Sequence, residues 1–318
     1  MLAAGPSRAF DAGHPPAPQA LAPGVWLIPG EVPLNREPDG NTVVFAARKG
    51  LIVFDTGRHA WHRQAIERLA AERRAPIAAI VNSHWHLDHV SGNPVLKRQW
   101  PAARVYASGA IRDALPGFLA RNAAEDREYL AGGKVDPAQA EDAKADLATI
   151  EAGAALIPDV TIDASAPRVL AGRRVVVNLA PNAATAGDVW LYDPASRVAA
   201  VGDLVTLPAP FLDTACPAPW SAALARIAAT PFRIAVPGHG QPMNRAQFAL
   251  YRRAFNAVIE CSNGTRPAAG CAADWVRDTD PLLDPGPAVR RQAQGLTEYY
   301  VKDVLRAHGG KSAYCAVA

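Results

Sequence analysis

The sequence predicts an α/β protein in which two similar strand-plus-helix halves enclose a two-sheet core. Short β-branched runs closed by Gly, Asn or Pro gather in two separate regions, near 25–57 and 160–203. Each region is followed by a stretch of helical spacing and a further apolar strand, so the order β-rich, mixed, β-rich, mixed runs once along the chain. With 318 residues, 49% of them hydrophobic, the chain has enough length and apolar material for a substantial core.

Residues 1–24, "MLAAGPSRAFDAGHPPAPQALAPG", read as an N-terminal linker rich in Ala and Pro. The segment lacks the basic start and apolar run of a signal peptide, yet resembles the linker that follows a removed one. From Val25, "VWLIPG", "NTVVFAA" and "GLIVFDTG" read as a meander. "WHRQAIERLAAERR" has helical spacing and leads into "PIAAIVNS", a continuous apolar run expected to be a buried strand. "ARVYAS" is a further strand, and residues about 110–155 form a charged helical insertion. Strands return at "VTIDAS", "RRVVVNLA", "DVWLYDP" and "RVAAVGD". "WSAALARIAATP" is a helix, "FRIAVPGHG" a strand ending in a glycine turn, and "RAQFALYRRAFNAVIECS" a long amphipathic helix. The main domain therefore covers 25–260, and 261–318 is a mostly helical extension packed on it. No repeat of solenoid length occurs.

The net charge is only +3, and Lys and Arg are dispersed rather than gathered in a stripe. This argues against nucleic acid or an anionic membrane as partner and favours a small-molecule substrate. No apolar stretch approaches the roughly 20 residues of a spanning helix. Nothing in the sequence specifies an oligomeric state. The four cysteines, Cys216, Cys261, Cys271 and Cys315, contain no CxxC, which excludes a zinc knuckle. Cys261 and Cys271 bracket the turn-rich "SNGTRPAAG", which brings them within reach of one another. Four cysteines allow three pairings, and buried free thiols are the alternative; a disulfide implies an oxidising compartment, periplasmic or secreted, against the cytoplasm otherwise.

The segment that carries chemistry is "VNSHWHLDHVSG", residues 81–92, just past a strand end. It puts His84, His86, Asp88 and His89 into six consecutive positions. Zinc takes imidazole nitrogen and carboxylate oxygen near tetrahedral geometry, and a tight cluster supplies several such donors at little ordering cost. His84 and His86, two apart in an extended segment, point to one side. The bland alternative is a polar loop with solvated histidines.

"HWHLDH" matches the HxHxDH signature of the metallo-β-lactamase-fold hydrolases, and the chain resembles that superfamily over roughly residues 25–260. The resemblance also covers "FDTG", with Asp55 supporting the metal-binding loop, "VGDLV", with Asp203 as the carboxylate between two metals, and "VPGHG", with His239 as the final ligand. It implies an αββα sandwich with a helical insertion and a helical C-terminal extension. The implied metal ligands are His84, His86, Asp88, His89, Asp203 and His239. Asp88 and Asp203 are the implied catalytic residues: Asp88 ligates and orients the nucleophile, and Asp203 holds metal and water between the sites.

One ligand of the pattern is absent. Where members carry histidine in "AHTxGD", this chain reads "AATAGD", and Ala184 stands at the histidine position. Carried over by position, one metal site retains His84 and His86 with Asp203; the other keeps Asp88, His89 and His239, again with Asp203. The second site is therefore expected to hold zinc more tightly, with one or two ions bound in all. Asn182 is a poor replacement as a neutral amide, and Cys216 a strong one if its loop reaches the site, though a structural or disulfide role is the ordinary reading for a cysteine. His59 and His62 either reach the mouth of the site or serve at the surface or as caps.

The resemblance implies zinc-dependent hydrolysis of a small-molecule ester, lactone, lactam or thioester by metal-activated hydroxide, weakened by Ala184. The alternative is a catalytically impaired or non-enzymatic metal-binding member of the same fold. A di-iron redox centre is a further reading, but it wants the full histidine set. Trp85, Phe118, Leu119 and Phe211 are candidates for an apolar pocket wall, with ordinary core as the competing role.

Overall fold

Two sheets face each other in the computed structural model, which describes residues 17–33 and 36–315. The first is seven-stranded, in the order β1 (Gln19–Ala22), β2 (Val25–Ile28), β3 (Thr42–Ala47), β4 (Gly50–Phe54), β5 (Ile77–Val81), β6 (Arg104–Ala107), β7 (Val160–Thr161). β1 to β4 form an antiparallel meander, and β4 to β7 run parallel. The second is five-stranded: β8 (Ala166–Leu170), β9 (Arg173–Pro181), β10 (Gly187–Asp193) and β11 (Val198–Thr206) are antiparallel, and β12 (Ile234–His239) lies parallel beside β11.

The layers follow from the apolar pattern. β4 is buried at every position because both of its faces are covered: Ile52 and Phe54 enter the core between the sheets, while Leu51 and Val53 face helix α1 (Ala60–Arg73). β10 repeats this arrangement, with Val189 and Leu191 between the sheets and Trp190 and Tyr192 in the outer core of the second sheet. α1 covers the first sheet with the short helices α2 (Leu87–Val90) and α3 (Asn93–Gln99) nearby, and the expected helical insertion contains α4 (Ile111–Ala114), α5 (Ala120–Ala131) and α6 (Pro137–Glu151). The second sheet is covered by α7 (Pro217–Ala229), α8 (Arg245–Ser262), α9 (Ala268–Thr279) and α10 (Pro287–Tyr299). The architecture is the αββα sandwich.

One expectation is corrected, and one strand lies where none was expected. The linker expected over 1–24 gives way to strand before its end, since Gln19–Ala22 pair with β2; residues 1–16 lie outside the described residues. β8, in "APRVL", carries no strand signal in the sequence because it is an edge strand with Pro167 inside it and Val169 exposed. Its pairing with β9 is set by a two-residue turn, Ala171 and Gly172, both at positive φ of 48° and 85°.

The C-terminal extension is part of the second core layer. Trp275 Nε1 donates to Pro208 O at 2.8 Å, and Cys271, Tyr300, Val301 and Leu305 join the same apolar cluster as Trp220 and Phe255. Two disulfides, Cys261–Cys271 and Cys216–Cys315, fasten it. No helix among the described residues is long and apolar enough to cross a membrane.

Candidate metal centre

The chemistry-bearing side chains leave the carboxyl ends of parallel strands, where neighbouring strands deliver several loops to one place. Asp55 follows β4 and the histidine cluster follows β5, while Asp203 lies in β11 and His239 ends β12. The register between β11 and β12 shifts between Gly202 and Thr206, and such an irregularity re-aims the side chain beside it, here Asp203. Gly238 makes room: a Cβ there would stand 1.8 Å from Asp203 Oδ1. Asn41 fixes the opposite loop, donating from Nδ2 to Pro237 O and Gly240 O at 3.0 and 2.9 Å.

All six expected ligands converge. His84, His86 and Asp203 form one group of donors, and Asp88, His89 and His239 a second. Asp203 reaches both, with Oδ2 3.8 Å from His84 Nε2 and Oδ1 3.2 Å from His89 Nε2. In the second group, Asp88 Oδ2 lies 3.3 Å from His89 Nε2 and 2.8 Å from His239 Nε2. Zinc–ligand distances of about 2.0–2.2 Å in a tetrahedron place donors about 3.3–3.6 Å apart. The pairs His89–Asp88 at 3.3 Å and His89–Asp203 at 3.2 Å stand close to that edge, while Asp88–His239 at 2.8 Å is a direct ion-pair contact and His84–Asp203 at 3.8 Å is slightly wider. Further, His84 Nε2, His89 Nε2, His239 Nε2 and Asp203 Oδ1 are buried without a hydrogen-bond partner. Buried polar atoms are ordinarily satisfied, and four orphans aimed into one space call for a cation. The residues present therefore fit a metal.

The supporting bonds fix which nitrogens face that space. Asp55 Oδ2 accepts from His89 Nδ1 at 2.9 Å and from Ser83 Oγ at 2.7 Å, and Asp55 Oδ1 accepts from Ser83 N at 2.6 Å. Ser83 Oγ in turn accepts from His84 Nδ1 at 2.9 Å. One carboxylate thus holds both imidazoles by Nδ1, directly and through Ser83, and leaves both Nε2 atoms for the metal.

Electrostatically the two groups differ. Burial pushes His84 and His86 down, His86 to about 4, so both imidazoles are neutral near pH 7. Burial also disfavours charge on His89 and His239, but Asp88 and Asp203 outweigh it and hold both imidazoles above the usual value. The reciprocal effect keeps the Asp88 and Asp203 carboxyls ionised: burial alone would raise them, and the neighbouring histidines bring both well below the usual carboxylate range.

Other expected candidates lie elsewhere. Cys216 is no ligand, because its sulfur is bonded to Cys315. Asn182 belongs to neither donor group. His62 is fully buried rather than at the surface: its Nε2 lies 2.8 Å from Thr42 Oγ1 and its Nδ1 3.6 Å from Asp39 Oδ2. His59 precedes the first turn of α1 without a side-chain cap and contacts Glu37 O through Nε2 at 3.1 Å. Ala184 is buried and offers no side-chain donor.

A pocket of about 270 Å³ opens on the centre, and Trp85, Phe118, Leu119 and Phe211 all line it. Phe118 packs on both Trp85 and His86. The acidic part of the wall was not legible in the sequence: Glu37, Glu125, Asp126, Asp146 and Asp213 line the pocket beside Asp88 and Asp203. Arg58 is the one cation among its described lining residues, and it is paired with Asp146 and Glu37. Burial pushes the Asp146 carboxyl up to about 7 despite Arg58, with Glu37 and Asp126 adding repulsion. These residues come from separate loops and helices, and no short motif ties them together.

The fold and this constellation define a class of αββα sandwich proteins with grouped His and Asp side chains that could hold a metal. The chain belongs to the metallo-beta-lactamase superfamily, whose family model matches residues 36–239. It is similar to a hydroxyacylglutathione hydrolase from Synechococcus sp., 46% identical over 56 residues, 18% of this chain and 22% of that protein. It is also similar to the atrochrysone carboxyl ACP thioesterase of Aspergillus fumigatus, 34% identical over 92 residues, 28% of this chain and 29% of that one. The matched stretches thus span less than a third of either relative's length. Among solved structures, a metallo-beta-lactamase from Pontibacter korlensis superposes with a TM-score of 0.52 at 18% identity, covering 73% of this chain and 94% of its own. A double mutant of the sec-alkyl sulfatase PisA1 gives 0.60 at 16% identity, covering 90% of this chain and 50% of its own. At these identities the likeness is one of fold.

Proposed function

We propose that the protein is a zinc-dependent hydrolase of a small-molecule ester, lactone, lactam or thioester. The observation that carries this reading is the set of buried, unpartnered donor atoms, His84 Nε2, His89 Nε2, His239 Nε2 and Asp203 Oδ1, beside a pocket that Asp203 lines together with His86 and Asp88. The hydrolase and thioesterase names of the two relatives support the reaction class, and the thioester is the favoured substrate bond.

Asp88, His89 and His239 would hold one ion and His84 and His86 the other, with Asp203 between them. Zinc in such a centre supplies a Lewis acid for a carbonyl oxygen and lowers the pKa of a coordinated water to about 7. Asp88 lines the pocket with a carboxyl held well below the usual range, so it accepts a hydrogen bond from an approaching water without taking its proton. Its role is orientation. Trp85, Phe118, Leu119 and Phe211 exclude water around the acyl group. The acidic wall selects neutral or cationic acyl compounds over polyanionic ones.

Two disulfides fit work in an oxidising compartment, periplasmic or extracellular. A small-molecule substrate, rather than nucleic acid, fits a pocket of this size and sign of charge. The test is a panel of acyl thioesters, esters, lactones and lactams, run with zinc-loaded protein and a His239→Ala variant. Turnover of at least one class by the parent and its loss in the variant is the expected result. No turnover on any class, beside an active member of the superfamily, would overturn the reading.

A further inference from the structure

The first donor group is short by one donor compared with the second, and a hydroxyl stands in the gap. His84, His86 and Asp203 make three, whereas Asp88, His89, His239 and Asp203 make four. Thr214, buried in the loop between β11 and α7, brings Oγ1 to 3.4 Å from His86 Nε2. The same hydroxyl donates its proton to Ala184 O at 2.8 Å. Its lone pairs are thereby left on the side of His86.

The 3.4 Å separation is long for a hydrogen bond to an imidazole nitrogen, where about 2.7–3.2 Å is normal. It matches the tetrahedral edge of about 3.3–3.6 Å expected for two donors on one zinc ion. The donors of the second group stand 2.8, 3.2, 3.3 and 3.5 Å from one another, and His84 Nε2 lies 3.8 Å from Asp203 Oδ2 in the first, so 3.4 Å falls within the range of spacings across the centre. We propose that Thr214 Oγ1 is the fourth protein donor of the first group, completing it with His84, His86 and Asp203 beside the donorless Ala184. The proposal rests on the metal-hydrolase reading above. A neutral hydroxyl is a weaker zinc donor than imidazole, so the first ion is the more loosely held of the two.

The C-terminal extension holds this loop in place. Cys216, two residues after Thr214, is bonded to Cys315, and its N–H donates to Ala183 O at 2.9 Å. Ser312 donates from N to Ala215 O at 3.2 Å and from Oγ to Asp213 O, while Tyr300 OH donates to Asp213 Oδ2 at 3.0 Å. Residues on both sides of Thr214 are thus tied down, so the hydroxyl faces His86 at little further ordering cost.

The experiment is zinc titration by calorimetry, with metal content by mass spectrometry, on the parent, Thr214→Val, Thr214→Ser and Thr214→Cys. The parent is expected to bind two ions of unequal affinity. Thr214→Val should lose the weaker and keep the tighter one unchanged, and Thr214→Ser should keep both. Retention of the tighter ion shows that the centre of Thr214→Val has folded. In Thr214→Cys loaded with cobalt(II), a sulfur-to-metal charge-transfer band should appear, a signature that a merely structural threonine does not produce. One ion in the parent, two ions of parental affinity in Thr214→Val, or a cobalt-loaded Thr214→Cys without the band would each overturn the proposal and leave the hydrolase reading standing. No ion in the parent would overturn that reading as well.

Discussion

Asp55 Oδ2 accepts the Nδ1 proton of His89 at 2.9 Å while both residues are fully buried, so the orientation of this donor rests directly on one carboxylate, which reaches His84 only through Ser83. Asp55 adopts a left-handed φ of 61°, which Asp tolerates better than most side chains. Replacing it with Asn keeps the shape but sets an amide N–H or a neutral oxygen against the imidazole. Asp55→Asn should weaken zinc at the second group by about ten- to a hundredfold, as is usual for the loss of a ligand-orienting partner. Competition with a chromophoric chelator measures this, and parental affinity would show that Ser83 and the fold suffice.

Gly238 and Asp203 set a steric test. A Cβ at Gly238 would meet Asp203 Oδ1 at 1.8 Å, so Gly238→Ala must displace the carboxylate shared by both groups. The variant should bind zinc more weakly at both groups and lose activity. Titration calorimetry with circular dichroism reads both metal binding and folding. Two ions at parental affinity would mean that Asp203 is not a shared donor.

Proton release distinguishes the groups. His89 and His239 carry raised pKa values without metal and must give up a proton to bind it, whereas His84 and His86 are already neutral near pH 7. Zinc at the second group should release protons at pH 7, and its apparent affinity should rise with pH. Zinc at the first group should release almost none. Calorimetry in buffers of different ionisation enthalpy separates the two, and equal release at both groups would contradict the assignment.

The acidic wall predicts a charge preference. Glu125→Lys with Asp126→Lys reverses the sign at two positions lining the pocket. For a substrate carrying carboxylates kcat/KM should rise about tenfold at low salt, and for a cationic one it should fall, with both effects shrinking as salt is added. Rates measured at two ionic strengths check this; unchanged ratios would place substrate charge away from the wall.

The readability of the sequence was uneven for physical reasons. His84, His86, Asp88 and His89 were legible because one loop supplies four donors within six positions, whereas Asp203 in "VGDLV" and His239 in "VPGHG" were legible only through the resemblance to the superfamily. The two buried sheets were legible from continuous apolar runs such as β4 and β10. β8 was not, since an exposed edge with a proline has no apolar alternation to show. Cys216–Cys315 joins residues 99 apart, a distance at which no local pattern speaks, and this is why Cys216 remained a candidate ligand. Thr214 and the acidic wall meet the centre only through tertiary packing, and Thr and Glu are too common for their positions to stand out.

The central claim is that the two donor groups hold the metal on which hydrolysis depends. The most direct measurement follows hydrolysis of a thioester, or of whichever panel substrate is turned over, as zinc is added back to chelator-stripped protein. The account predicts almost no activity without metal, and a rise with each equivalent bound until both groups are filled. Full activity in protein shown by mass spectrometry to be free of metal would contradict it.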